Sequence, residues 1–245
     1  EDQKISKLDR FEDTLLGRTD EIADALPLRA ALARRNLSPR HAQDLLVAFR
    51  MDASKRRYAN WDELIQYCTY SAMPVGRFVL DVHGESRSAW PANDALCAAL
   101  QIVNHLQDCG ADYRRLDRVY IPLDALAARN VHVEALGAPK ASPGLLACIH
   151  ELAAKAGKLL ASPPLSRGIE DLRLSLEVGA IERLARRLLR MLAARDPLSE
   201  RVHLSKSEFA IILLTAVCLG LGRRLFQPRA SKADMLQEAD DQPSN

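Results

Sequence analysis

Apolar residues recur along the chain at intervals of three and four, the spacing that gathers them on one face of an α-helix. Ile5, Leu8, Leu15 and Leu16 among charged neighbours predict a first helix ending near Gly17. Two more helices are expected over 28–35 and 39–51, the second with Ser38 as N-cap and Pro39 at its first position, where a missing N–H has no partner to lose. Trp61, Leu64, Ile65, Cys68, Ala72, Val75 and Val79 keep helical spacing behind the capping pair Asn60 and Glu63. Pro74 falls inside that run, so the helix is expected to kink there, with Ser71, Ala72 and Gly76 leaving room beside it. Asn93 or Asp94 is expected to cap the next helix, which runs to about Cys109. Gly110 and the polar run ADYRRLDR then lead into an extended piece, RVYIP. Helices near 124–130, 142–161, 165–195 and 205–225 complete the pattern, and the charged tail 227–245 is expected to be disordered.

The pattern is that of an all-α protein, and composition agrees. Ala and Leu are abundant, aromatics make up 5% of the chain, and β-branched residues rarely alternate. Lys plus Arg number 34 against 32 Asp plus Glu, a net +2 that provides no one-signed field for nucleic acid, so none is expected as a partner. The cysteines (Cys68, Cys97, Cys109, Cys148 and Cys218) are odd in number, scattered and without a CxxC pair, as in a reduced cytoplasmic protein. Charge throughout residues 1–24 argues against a signal peptide. The longest apolar run, 209–222, is short for a bilayer span and reads as a buried helix; the rival reading puts it against a membrane surface. With no solenoid repeat and no flexible linker, residues 1–226 are expected to form one helical domain.

One stretch carries candidate chemistry. In LQIVNHLQDCGADY, taking Gln101 as zero, Asn104, Asp108 and Asp112 fall at roughly −60°, −20° and +20° around a helix. Leu96, Ala99, Val103 and Leu106 fall on the opposite side, so one face anchors the helix and the other presents a line of oxygen ligands. Such ligands suit Mg²⁺, a hard ion that bridges carboxylates to substrate phosphates. Spacing alone leaves open the alternative that Asp108 and Asp112 are ordinary solvated carboxylates, because DxxxD is common.

The same stretch, NHLQDCGAD followed by RVYIP, resembles the second aspartate-rich motif of squalene and phytoene synthases. Upstream, FRMDASKRRYANWDELIQYCTYSAMPVGRFVLDVHGE resembles that family's segment ending in RY, then DEL, then YCxxxAxxVG. The resemblance implies an isoprenoid synthase helical bundle around a central apolar cavity, acting on a polyisoprenyl diphosphate such as presqualene or farnesyl diphosphate. It implies that Asn104, Asp108 and Asp112 bind Mg²⁺ and through it the diphosphate, with Gln101 lining the same cleft. Tyr67 matches the family tyrosine that faces the carbocation, and Arg118, Tyr120 and Arg57 match positions tied to the diphosphate. Ala72 and Gly76 would widen the pocket around the cation. From residue type alone, Tyr67 is an ordinary core aromatic and Arg118 a solvated arginine.

Two departures from the family pattern stand out. A first aspartate-rich motif belongs far upstream of the second, at a spacing that puts it ahead of Glu1, so the chain is expected to lack it. Asp20 and Asp24 have DxxxD form but lie too close to Asp108 and read as a solvated interhelical segment. The second departure is Gln107, which stands where carotenoid-forming relatives commonly carry arginine. With SAMPVGR and DVHGE, it resembles the hydroxysqualene synthases of hopanoid pathways, which would place other enzymes of that pathway among the partners. Presqualene diphosphate synthase, phytoene synthase and a catalytically silent partner subunit remain alternatives. A di-iron bundle is disfavoured, since only Glu200 and His203 have Glu-x-x-His spacing. His83, His105 and His150 are assigned no role.

Overall fold

The structure, a computed structural model, describes residues 2–161 and 163–226, the last four by backbone only. The expected disorder of 227–245 lies outside the described residues. The described chain is all-α: α1 (Asp2–Leu15), α2 (Leu26–Arg34), α3 (Arg40–Ser54), α4 (Trp61–Ser71), α5 (Met73–His83), α6 (Trp90–Gln107), α7 (Cys109–Leu116), α8 (Leu123–Ala127), α9 (Pro143–Leu159), α10 (Leu172–Leu192) and α11 (Lys206–Phe226). Helix α6 is central, packed against α4, α5, α9 and α10, and its buried face carries Leu96, Ala99, Ile102, Val103 and Leu106.

Local chemistry explains the helix boundaries. Asn60 accepts the Glu63 N–H at 2.9 Å, and the Glu63 carboxylate turns back to the Ala59 N–H, one residue earlier than in the usual capping box. The kink expected at Pro74 is a complete break. Helix α4 ends at Ser71 and α5 starts at Met73, because the proline ring has no N–H to give and crowds the carbonyl four residues back.

Asn93 and Asp94 do not cap α6, which starts earlier, at Trp90, with Pro91 in its first turn, after a 3₁₀ turn opened by Ser86. They join α5 to α6 instead. Asn93 is 2% exposed and donates to the Met73 carbonyl at 3.3 Å, while Asp94 takes a two-point contact from Arg77. Gly76 belongs to this crossing and does not widen a pocket: a Cβ there would fall 2.6 Å from Cys97 Sγ and into the Asn93 amide. Gly76→Ala is therefore expected to cost about 1–3 kcal/mol and lower the urea midpoint. Gly157→Ala, where nothing lies within 4 Å, should stabilise α9 by about 0.5–1 kcal/mol.

The run after Gly110 that leads to RVYIP is helical as α7, closed by Asp117 at φ 51°. RVYIP is extended, with a parallel bridge from Arg57 to Val119 and a bond from Val119 N–H to the Arg56 carbonyl at 2.9 Å. Helix α10 begins later than expected, where Asp171 accepts the Leu174 N–H at 2.7 Å. Glu85, 8% exposed, accepts the N–H groups of Glu170 and Asp171, both at 2.8 Å, tying the end of α5 to the start of α10.

All five cysteines are free, and burial pushes the thiols of Cys68 and Cys109 up to about 12, so neither is a ready nucleophile. Helix α11 lies on α10 through Ile212, Ala216 and Gly220, leaving Phe209, Ile211, Leu214, Leu219 and Leu221 exposed. No helix among the described residues is long and apolar enough to cross a membrane.

Candidate active site

Gln101 and Asn104 lie on α6, Asp108 occupies the bend after it, and Asp112 stands in the first turn of α7. The break does not disturb the stripe, because helical bonds run on from Asp108 N–H to the Asn104 carbonyl (2.9 Å) and from Asp112 N–H to the Asp108 carbonyl (2.8 Å). Asn104 and Asp108 are exposed while Leu96, Ala99, Val103 and Leu106 are no more than 5% exposed, so the helix is held by its apolar face. Burial and then the neighbouring Asp108 charge push the Asp112 carboxyl above its ordinary range, with Arg118 opposing. Two repelling carboxylates beside an amide oxygen make an oxygen-only donor set that a hard cation would relieve. Among the described residues no three His, Cys, Asp or Glu converge into a closed metal site.

Behind the stripe lies an aromatic cluster. His105 stacks on Tyr120 with ring centres 3.6 Å apart, and Tyr58 and Tyr67 complete the group at 5.3–5.8 Å. The Gln101 amide nitrogen lies 3.1 Å from His105 Nε2. An amide nitrogen can only donate, so the ring nitrogen accepts and the imidazole is neutral. Burial, and secondarily Arg118, push the His105 pKa down to about 3, in agreement.

Asp52, which the sequence did not single out, joins the cluster to Arg118. Tyr67, 4% exposed, donates its hydroxyl to the Asp52 carboxylate (3.1 and 3.2 Å), and Arg118 donates to the Asp52 carbonyl at 2.7 Å with its other terminal nitrogen 3.8 Å from the carboxylate. Burial raises the Asp52 carboxyl, against Arg118 and the Tyr67 hydrogen bond. The only cue in the sequence was its place in FRMDASKRRY, since its partner Arg118 lies far along the chain. A cavity of about 310 Å³ opens on this pair, lined otherwise by Leu8, Phe11, Phe49 and Ala53, with Lys4 and Lys7 on its rim side of α1.

The structure thus brings Tyr67, Tyr120, Arg118 and Gln101 together. Arg57 stands apart, its guanidinium bound to the carboxylate and carbonyl of Asp117, where it latches the RVYIP segment. Gln107 donates to the Val202 carbonyl and anchors the end of α6. Asp20 pairs with Arg29 at 2.5 Å, and Asp24 is exposed in a 3₁₀ turn.

A family model described as squalene/phytoene synthase matches residues 1–208. The chain is 56% identical over 226 residues to a hydroxysqualene synthase of Rhodopseudomonas palustris and 54% identical over 226 residues to one of Sinorhizobium fredii, covering 92% of this chain and 77% of each relative. Among solved structures it resembles squalene synthase HpnC from Alicyclobacillus acidocaldarius, with a TM-score of 0.58 and 25% identity over 89% of this chain and 73% of that one.

Proposed function

Because the chain belongs to the squalene/phytoene synthase family, we propose that it ionises presqualene diphosphate with Mg²⁺ held by Asn104, Asp108 and Asp112, and lets water capture the cation to give hydroxysqualene and diphosphate. That the chain is an isoprenoid synthase acting on prenyl diphosphates follows from the family. The choice of reaction within it is carried by the 56% identity to a hydroxysqualene synthase.

Bound at the stripe, the ion would supply positive charge to the phosphate oxygens as the C–O bond breaks. Arg118 adds a fixed cation beside the same stripe, and Gln101 holds His105 neutral. That neutrality matters, because an imidazolium stacked on Tyr120 would repel a carbocation formed near the cluster. Leu8, Phe11, Phe49 and Ala53 give the cavity an apolar lining against which an isoprenoid chain would pack. The exposed apolar side of α11 supports contact with a lipid surface from which such a substrate would be drawn.

Incubation with Mg²⁺ and presqualene diphosphate is expected to yield a C30 alcohol, identified by mass spectrometry, whereas farnesyl diphosphate yields no C30 product. Presqualene diphosphate formed from farnesyl diphosphate would move the chain to a neighbouring reaction of the family, and no product from either would favour a silent partner subunit.

A further inference from the structure

We infer that Asp52 is the proton acceptor for water capture, reached through the hydroxyl of Tyr67. This rests on the water-capture reading above. A water that attacks a carbocation must shed a proton, and an acceptor held beside the cation takes it at the moment the C–O bond forms. The phenol of Tyr67 donates its hydrogen to the Asp52 carboxylate at 3.1 and 3.2 Å, so its oxygen, which also meets the Tyr120 hydroxyl, has only a remaining lone pair to offer a water. Asp52 lines the apolar cavity beside Leu8, Phe11, Phe49 and Ala53, with an Arg118 nitrogen 3.8 Å from its carboxylate.

His105, Asp108, Asp112 and Glu182 are each committed elsewhere. His105 accepts from Gln101, and burial makes it a very weak base. Asp108 and Asp112 belong to the proposed metal stripe, and Glu182, though buried, is bound to Ser166 in the groove between α10 and the segment before it. Burial also raises the affinity of Asp52 for a proton, as an acceptor requires.

The step balances without an oxidant or reductant. A lone pair of water forms the C–O bond, the resulting oxonium loses a proton to the Tyr67 oxygen, and the former Tyr67 hydroxyl proton passes to Asp52. The alcohol leaves, and the protonated Asp52 returns its proton to solvent.

The test separates ionisation from capture. With presqualene diphosphate and Mg²⁺, diphosphate release and C30 alcohol are measured independently in wild type, Asp52→Asn, Asp52→Glu and Tyr67→Phe. Asp52→Asn is expected to lower alcohol formed per diphosphate released by roughly tenfold or more, with other C30 products in its place, while release itself falls by less than roughly threefold. Asp52→Glu should recover much of the ratio, and Tyr67→Phe should lower it as Asp52→Asn does. Parallel loss of release and alcohol, or an unchanged ratio in Asp52→Asn, would overturn the inference. If Asp52→Asn fails to fold by circular dichroism, the ratio in Tyr67→Phe decides in the same way. A wild type that makes no alcohol contradicts the water-capture reading itself, an outcome distinct from an altered ratio.

Discussion

Replacing Asp108 or Asp112 by Ala is expected to lower kcat/KM by roughly a thousandfold or more, with the fold intact. Neither carboxylate takes a side-chain hydrogen bond or ion pair from the described residues, so each can be removed without leaving a buried partner unsatisfied. For Asp112 the sign of the stability effect can be worked out. Its carboxyl is raised by burial and by Asp108, so the folded state binds the proton more tightly than the unfolded chain. The resulting cost is absent at pH below the unfolded value, grows as pH rises through the interval between the two, and is fully present above the folded value. Asp112→Asn should therefore be at least as stable as wild type in a melt at neutral pH while losing activity. Turnover unchanged in either variant would remove the stripe from the mechanism.

Withdrawal of divalent metal should bring turnover to background, and Mg²⁺ should restore it. Departing diphosphate carries several negative charges, and the protein cations near the site are few. Arg118 is partly balanced by Asp52, and Lys4 and Lys7 belong to α1 on the cavity wall. Against these stand Asp52, Asp108 and Asp112, three carboxylates that would repel a leaving anion unless a cation bridges them to it. Activity that survives a chelator would mean that Arg118 and the two lysines suffice.

Helical periodicity made the Gln101–Asp112 stripe and its anchoring face visible in the sequence, and the structure keeps both through the bend at Asp108. The all-α class and the family were equally legible, the first from apolar spacing and the second from motifs between Phe49 and Pro122. What failed was competition for polar side chains. Asn93 and Asp94 looked like caps, but Met73 and Arg77 on α5 claim them, and Pro91 lets the helix start a turn earlier. Gly76 looked like space for a ligand, yet the space is filled by Asn93 and Cys97. Asp52 was hidden because its role depends on Tyr67 and Arg118, which only the packing of α3, α4 and the extended RVYIP segment brings to it. Arg57 was placed by motif, while its geometry is decided by Asp117 two residues from its bridge partner Val119.

If water ends the reaction, the oxygen of the product comes from solvent. Presqualene diphosphate and Mg²⁺ are supplied to the protein in H₂¹⁸O, with and without NADPH, and the C30 product is weighed. The expected result is an alcohol about two daltons heavier than in ordinary water, with rate and product indifferent to NADPH. Squalene formed only when NADPH is present, or an alcohol whose oxygen does not come from solvent, would contradict it.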